Sequence, residues 1–465
     1  MKTKSVTLLL GILIALMTFA CIGGGAATPT SEPADVADLS YTATSEPVIV
    51  EEGEVKILNS TSYLDRYNDY YVVGELLNDS NQMIENIVIS LSIMDESGAS
   101  LLKDDNDNPV DSIDIYPYID VLSPGTSAPF SYYISIADLQ PATYEVTVRS
   151  YDRSSASELK EFDVQNVQTH FMENGDVVLA GEIVNLDSNH VDVESLAGTV
   201  LDSTGTVLAA NSTMTYSRYL YPAGDVEGRD RGPFVITLYG PIENVSQWKI
   251  FARSIENTTV PAADLDIELA GSYVDGSGTY HLLGTVTNNG SSQVSPSVVG
   301  GLYGEDTLVW DAATSNIPLY LNSGDSAPFD LSTFQVVPYM SPDQMSAVDE
   351  IVVPDLYWSY STDYQVVSLA AEQVELMQGS YDWTLNGSVV NSSGENLSRI
   401  IALVQFLDEN GQVMATNSTT MFPAEGSDAI EPGVSTEFSI SIYASEDWNL
   451  SSQAYQVILQ GVIAE

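Results

Sequence analysis

Positive charge is what this chain of 465 residues has least of: Lys and Arg number 14 against 65 Asp and Glu, a formal net charge of -51. A surface so acidic is pushed away from phosphate backbones, which excludes nucleic acid as a partner. Cysteine occurs once, so no disulfide forms within the chain. The three histidines, His170, His190 and His281, are scattered without metal-ligand spacing and read as packed or solvated side chains. There is no His-Glu-x-x-His, no Gly-x-Ser-x-Gly elbow and no Gly-Lys phosphate loop. No catalytic, cofactor-binding or metal residue is therefore assigned, and the chain reads as a non-enzyme. Long helical periodicity is missing too, and no apolar run beyond the N-terminus is long enough to span a bilayer.

What is there argues for folded domains. Hydrophobic residues make up 44% and aromatics 9%, enough apolar surface to offset the entropy of ordering, so the acidity belongs to folded surfaces rather than to a disordered chain. The length suggests three or four domains. Acidity of this degree reads first as a plainly solvated surface and also suits salty surroundings or divalent cations; adaptation to salt would show as reversible unfolding on desalting.

The first twenty residues have the form of an export signal. Lys2 and Lys4 supply the charged start, and Val6 to Phe19 supply an apolar run closed by Ala20. Cys21 follows at once, then Gly23-Gly24-Gly25 and a Thr/Ser/Pro/Glu-rich stretch to Gly53. Thr18-Phe19-Ala20-Cys21 resembles a lipoprotein cleavage box, with Thr18 where leucine is usual. The resemblance implies lipid on Cys21, a flexible tether behind it, and a membrane held through that lipid alone.

Beyond the tether one unit recurs. Gly74-Glu75-Leu76-Leu77-Asn78, Gly181-Glu182-Ile183-Val184-Asn185, Gly284-Thr285-Val286-Thr287-Asn288 and Gly387-Ser388-Val389-Val390-Asn391 place their glycines 107, 103 and 103 residues apart. Each follows an alternating β-rich run, and each asparagine opens a polar turn. About twenty residues on, a second strand runs into a glycine turn, as in Leu91-Ser92-Ile93-Met94-Asp95 before Gly98 and Val404-Gln405-Phe406-Leu407-Asp408 before Gly411. The third copy departs, with Gly300-Gly301-Leu302-Tyr303-Gly304, and that strand is expected to be bulged or weakened. A third landmark is Pro124-Gly125-Thr126-Ser127-Ala128-Pro129-Phe130, echoed by Ser323 to Phe329, by Pro432 to Phe438 and, after an insertion at 225–231, by Gly232-Pro233-Phe234. Its aromatic should point inward. Turn signals every 8 to 12 residues in units of about 100 predict an all-β fold: four tandem immunoglobulin-like antiparallel β-sandwiches after a signal peptide and flexible linker. The boundaries read 1–20 for the signal, 21–53 for the lipidated cysteine and linker, and 54–158, 159–262, 263–368 and 369–465 for the modules.

These three landmarks together resemble the FxLYD domain of bacterial and archaeal surface proteins, over nearly all of residues 54–465. Phe406-Leu407-Asp408 keeps the end of the naming motif, and Leu302-Tyr303 lacks its aspartate. The resemblance implies a small β-sandwich common on lipoproteins and no established activity.

Three further features bear on chemistry. Asp104-Asp105-Asn106-Asp107-Asn108-Pro109-Val110-Asp111 has the alternating oxygens of a cation loop but not the glycine and glutamate of an EF-hand, and reads as a polar hairpin. The aromatic groups Tyr67/Tyr70/Tyr71, Tyr216/Tyr219/Tyr221 and Tyr357/Trp358/Tyr360 suit strand packing or stacking on sugars. Eleven Asn-x-Ser/Thr sequons, at Asn59, Asn78, Asn211, Asn244, Asn257, Asn289, Asn386, Asn391, Asn396, Asn417 and Asn449, are candidate glycan sites in an exported chain. The expected function is a non-catalytic, lipid-anchored spacer or interaction stalk outside the cytoplasm, with envelope glycans or surface proteins as possible partners. The alternatives are an adhesin for carbohydrate or envelope polymer, and a secreted hydrolase built on two carboxylates.

Overall fold

The computed structural model describes residues 54–464 apart from 105, 136–140, 155–158, 160–161, 214, 225–229, 241, 257–263, 305–308, 333, 335, 338–339, 341–344, 346–347, 356–363, 380–381 and 446, together with the pair 48–49; of 349–355 the backbone alone is described. Strands dominate it. The first module contains β1 (Val48–Ile49), β2 (Val55–Leu64), β3 (Asp69–Asn78), β4 (Ile84–Asp95), β5 (Ile113–Ile115), β6 (Val121–Leu122), β7 (Ser127–Ser135) and β8 (Pro141–Arg153). The second contains β9 (Phe162–Phe171), β10 (Val177–Asn185), β11 (Val191–Leu201), β12 (Val207–Thr213), β13 (Tyr219–Leu220), β14 (Arg231–Leu238) and β15 (Gln247–Glu256). The third has β16 (Leu265–Val274), β17 (Tyr280–Asn288), β18 (Ser297–Tyr303), β19 (Val309–Asn316), β20 (Ser326–Leu331) and β21 (Asp349–Asp355). The fourth has β22 (Val366–Leu369), β23 (Ala371–Gln378), β24 (Trp383–Val390), β25 (Leu397–Leu407), β26 (Val413–Met421), β27 (Ser435–Ile442) and β28 (Ala454–Ile463).

Each module is a sandwich of two sheets, as the turn spacing predicts. The smaller sheets are β2-β3-β7, β9-β10-β14, β16-β17-β20 and β23-β24-β27, each with the glycine-bearing strand in the middle. The opposing sheets are built on β4, β11 and β25, each with more than three strands, and on β18, with three. Among the described residues all pairings are antiparallel except that of β1 with β8. That pairing places Val48 and Ile49 in the first module's larger sheet, ahead of the boundary expected at 54. In the same way β22 pairs with β28, so the fourth module takes in residues assigned by sequence to the third.

The landmarks are partners in space. Gly74, Gly181, Gly284 and Gly387 lie directly across the ladder from Phe130, Phe234, Phe329 and Phe438. A Cβ on these glycines would stand 2.4, 2.8, 2.4 and 2.5 Å from the aromatic ring, so the ring fills the place a side chain would take. The phenylalanines point inward and are buried, as expected.

The asparagines that end the motif do more than open a turn. Asn78, Asn185, Asn288 and Asn391 are all 0% exposed. Each Nδ2 donates to the carbonyl four residues on, at 2.8–2.9 Å, and to a second carbonyl, of Leu122, Tyr221, Leu321 or Ile430, at 2.7–3.0 Å. The side chain thereby ties the motif turn to the segment before the third landmark and leaves its buried amide satisfied.

The third copy corrects one expectation. β18 is paired along its whole length with both β19 and β21. Its register shift, between Leu302 and Tyr303, falls where β11 and β25 have theirs, between Val200 and Leu201 and between Phe406 and Leu407. The strand is bulged like its counterparts and not weakened. Its glycines make room for rings: a Cβ on Gly304 would overlap Trp310, and one on Gly301 would stand 2.5 Å from Tyr303.

Candidate functional site at the module junctions

Because alternate residues of a strand face opposite ways, the glycine points its neighbours outward. Tyr71, Val73 and Glu75 of β3 face away from the core that holds Val72 and Leu76. In the second module Val178 and Ala180 do the same, in the third His281 and Leu283, in the fourth Thr384, Asn386 and Ser388. On the first three outer faces lies a strand of the next module: β12 on β2, β3 and β7, β19 on β9, β10 and β14, and β26 on β16, β17 and β20.

At the first junction Val73 joins Leu201, Val207 and Ala210 in one apolar cluster. Tyr63, Tyr71 and Tyr133 stack beside it with centroids 5.1 and 5.4 Å apart, and the Tyr63 hydroxyl donates to the Tyr239 carbonyl at 2.8 Å. Glu75, 1% exposed, accepts from Lys249 Nζ at 2.8 and 2.9 Å and from Ser127 Oγ at 2.5 Å. Arg253 reaches Asp120 at 2.6 Å and Arg66 reaches Asp176 at 3.4 Å.

The second junction repeats the plan. Val178, Ala180 and Val235 pack on Val309, Ala312 and Val336. Glu182, 2% exposed, accepts from the Tyr303 hydroxyl at 2.9 Å and from Arg231 at 3.5 Å. His170 lies against Trp310, ring centroids 5.6 Å apart, and burial lowers its pKa.

At the third junction the buried charge is a histidine. His281, 3% exposed, has Nδ1 at 2.9 Å from Asp330 and Nε2 at 3.3 Å from Asp275. Burial disfavours its imidazolium, but the hydrogen bonds and charges of Asp330 and then of Asp275 outweigh it and raise the pKa. Tyr273 stacks flat on the imidazole at 4.6 Å and donates its hydroxyl to the Tyr443 carbonyl at 2.8 Å. Gln460 bonds the backbone of Tyr320 in both directions, at 2.8 and 2.9 Å, and Arg399 bonds the Tyr320 hydroxyl. A cleft of about 240 Å³ opens here, with His281, Asn316, Asp330, Thr416, Asn417 and Tyr443 among its walls.

Bases are scarce, and Lys249, Arg66, Arg253, Arg231 and Arg399 all lie in the three junctions. At the first junction Lys249, Arg66 and Arg253 each pair with an acid of the other module, which offsets the repulsion between two acidic modules.

The sequence candidates fall as follows. Cys21 and Asn257 lie outside the described residues, as do Tyr357, Trp358 and Tyr360. Asn78 and Asn391 are the buried clamps, and with both amide hydrogens donated they offer no nitrogen to a glycan in the folded chain. Asn59 is engaged at the first junction, accepting from the Val207 amide at 3.0 Å, and Asn211 donates to the Thr237 carbonyl at 2.7 Å. Asn244, Asn289, Asn396, Asn417 and Asn449 are exposed, and Asn386 is half-buried on a sheet face. The Asp104 carboxylate accepts from the backbone of Asn106 and Asn108, both at 2.9 Å, so it closes the tip of a small hairpin; hydrogen bonds from the Asn108 side chain and backbone lower its pKa. Of the aromatics, Tyr70 is core, Tyr71 and Tyr216 belong to junctions, and Tyr67 is exposed.

Sequence reasoning missed the buried acids. Their signal was present: the glycine is followed by glutamate in the first two copies only, Glu75 and Glu182, with Thr285 and Ser388 in the others.

No protein-family model matches the chain, and no curated protein matches it. Among solved structures it is similar to the native conformation of Escherichia coli alpha-2-macroglobulin, at 11% identity and TM-score 0.11 over 87% of this chain and 28% of that one. It is also similar to Escherichia coli alpha-2-macroglobulin activated by porcine elastase, at 11% identity and TM-score 0.11 over 84% of this chain and 42% of that one. The chain spans less than half the length of either.

Proposed function

We propose that the chain is an exported lipoprotein, tethered through lipid on Cys21, whose four modules serve as a non-catalytic spacer or interaction stalk of the cell envelope. The observation that carries the stalk reading is the repeated junction: each outer sheet face up to the third is sealed by the next module around a buried charged group. Modules on free linkers have no use for such contacts, whereas a stalk that must hold its distal modules away from a membrane does. The signal-like N-terminus and the FxLYD resemblance support the tether and the surface location.

The test is the N-terminus of the chain purified from membranes. Acylated Cys21 as the first residue, and release of Cys21→Ser into the soluble fraction, is the expected result; equal fractionation of the two chains overturns the tether. No described helix is long and apolar enough to cross a membrane.

A second reading, an adhesin for envelope glycans, is favoured by the polar cleft beside Tyr443 at the third junction. Binding of residues 54–465 to a glycan array, lost in Tyr443→Ala, supports it; an array without hits removes it.

A further inference from the structure

The outer face of the fourth small sheet has no described strand lying across it. Its composition departs from the other three at the same lattice points. Where Val73, Ala180 and Leu283 stand buried immediately before the motif glycine, the fourth module has Asn386. Where Pro129, Pro233 and Pro328 stand buried before the inward phenylalanine, it has exposed Glu437. The cross-strand rows on this face read Met377–Thr384–Ser441 and Glu375–Asn386–Ser439, with Ser388 opposite Glu437. An apolar face has been replaced by a polar one, which suits a sheet face that no described strand covers.

Asn386 is the centre of that face and the first residue of the sequon Asn386-Gly387-Ser388. The middle residue is dictated by packing, since a Cβ on Gly387 would stand 2.5 Å from the Phe438 ring. The two residues that make the sequon are the outward ones, at positions where the other modules carry Val73 with Glu75, Ala180 with Glu182 and Leu283 with Thr285. The side chains of Asn59, Asn78, Asn211, Asn391 and Asn417 donate to backbone carbonyls. That of Asn386 has no hydrogen-bond partner among the described residues. It stands on a sheet whose backbone is paired on both sides, so the amide projects from a rigid base toward solvent.

We propose that Asn386 carries an N-linked glycan, which covers the uncapped face of the fourth module. The sugar lies over Thr384, Ser439 and Ser441, whose hydroxyls suit its own, and shields Met377, which is 46% exposed. The proposal rests on the reading that the chain is exported. It concerns the sequon whose asparagine stands where the other modules have Val73, Ala180 and Leu283, and no other sequon.

The experiment is mass spectrometry of the peptide containing Asn386, taken from the full chain purified from its own host's membranes. The expected result is a peptide heavier by whole sugar residues, returning to unmodified mass in both Asn386→Gln and Ser388→Ala. The peptides of Asn78 and Asn391 stay unmodified. An Asn386 peptide at unmodified mass overturns the proposal, whether or not Asn289, Asn396 or Asn449 bears sugar. A chain with acylated Cys21 and bare Asn386 loses this proposal and keeps the tether; a chain without acylated Cys21 but with sugar on Asn386 does the reverse.

Discussion

The first and third junctions are built on one plan and charged in different ways. In each, a tyrosine next to the end of the module's first strand in its small sheet donates its hydroxyl to a tyrosine carbonyl of the next module, Tyr63 to Tyr239 and Tyr273 to Tyr443, both at 2.8 Å. At the first the buried charge is Glu75, held by Lys249 Nζ at 2.8 Å. At the third it is His281 between Asp275 and Asp330, whose charge depends on pH. Each junction thus buries a charged group beneath the following strand, but at different points of the motif strand: Glu75 comes just after the glycine, whereas His281 stands three residues before it, where the first module has Tyr71.

Four experiments break or sharpen that comparison. The largest effect concerns what both junctions stand on: Gly74→Ala and Gly284→Ala press a methyl into the rings of Phe130 and Phe329, and each should cost about 3 kcal/mol, at the upper end for overpacking. Calorimetry of the full chain reads the loss; unchanged transitions would mean the small sheets have slack. Next, Lys249→Ala strands Glu75 and should cost about 2 kcal/mol, less than for a fully buried pair because Lys249 is 42% exposed. Faster hydrogen exchange in β12 with β26 unaffected is the expected pattern, and equal change in both would erase the distinction between junctions.

Tyr63→Phe and Tyr273→Phe each delete one hydrogen bond, at about 1 kcal/mol. Exchange should rise near Tyr239 for the first and near Tyr443 for the second, to a similar extent. The smallest and most specific effect is that of pH. His281 has a folded pKa above its ordinary 6.5, so its contribution is complete below 6.5 and is lost as pH rises through the raised value. Once the base catalysis intrinsic to amide exchange is divided out, protection in β26 should therefore fall as pH rises above 6.5 while protection in β12 holds; in His281→Gln that difference between the strands should vanish. A chain whose two junctions respond alike to pH would refute the assignment.

Much of the fold was legible because its determinants are short-range. Asparagine stands four residues after the motif glycine in every copy, so the same strand end and turn recur, and the phenylalanine that meets the glycine across the ladder, 45 to 56 residues further on, is marked by the turn before it. The boundary near 369 falls inside β22, because this four-residue edge strand, Val366-Val367-Ser368-Leu369, has no turn signal of its own. The third copy's second strand looked damaged because glycine pairs usually mark weakness, whereas Gly301 and Gly304 accommodate Tyr303 and Trp310, neighbours that only packing reveals.

The sites were less legible than the fold. A sequon is a local pattern, but whether its amide is free depends on partners far along the chain: Asn391 is closed by Ile430 and Asn59 is held by Val207 of another module, while Asn386 is left open. What the sequence by itself determined is the repeated sandwich, because alternation and turn chemistry act within a few residues. Only the tertiary structure decided which face of each sandwich is sealed and which acids, histidines and asparagines are buried there, because burial is a property of the neighbour as much as of the residue.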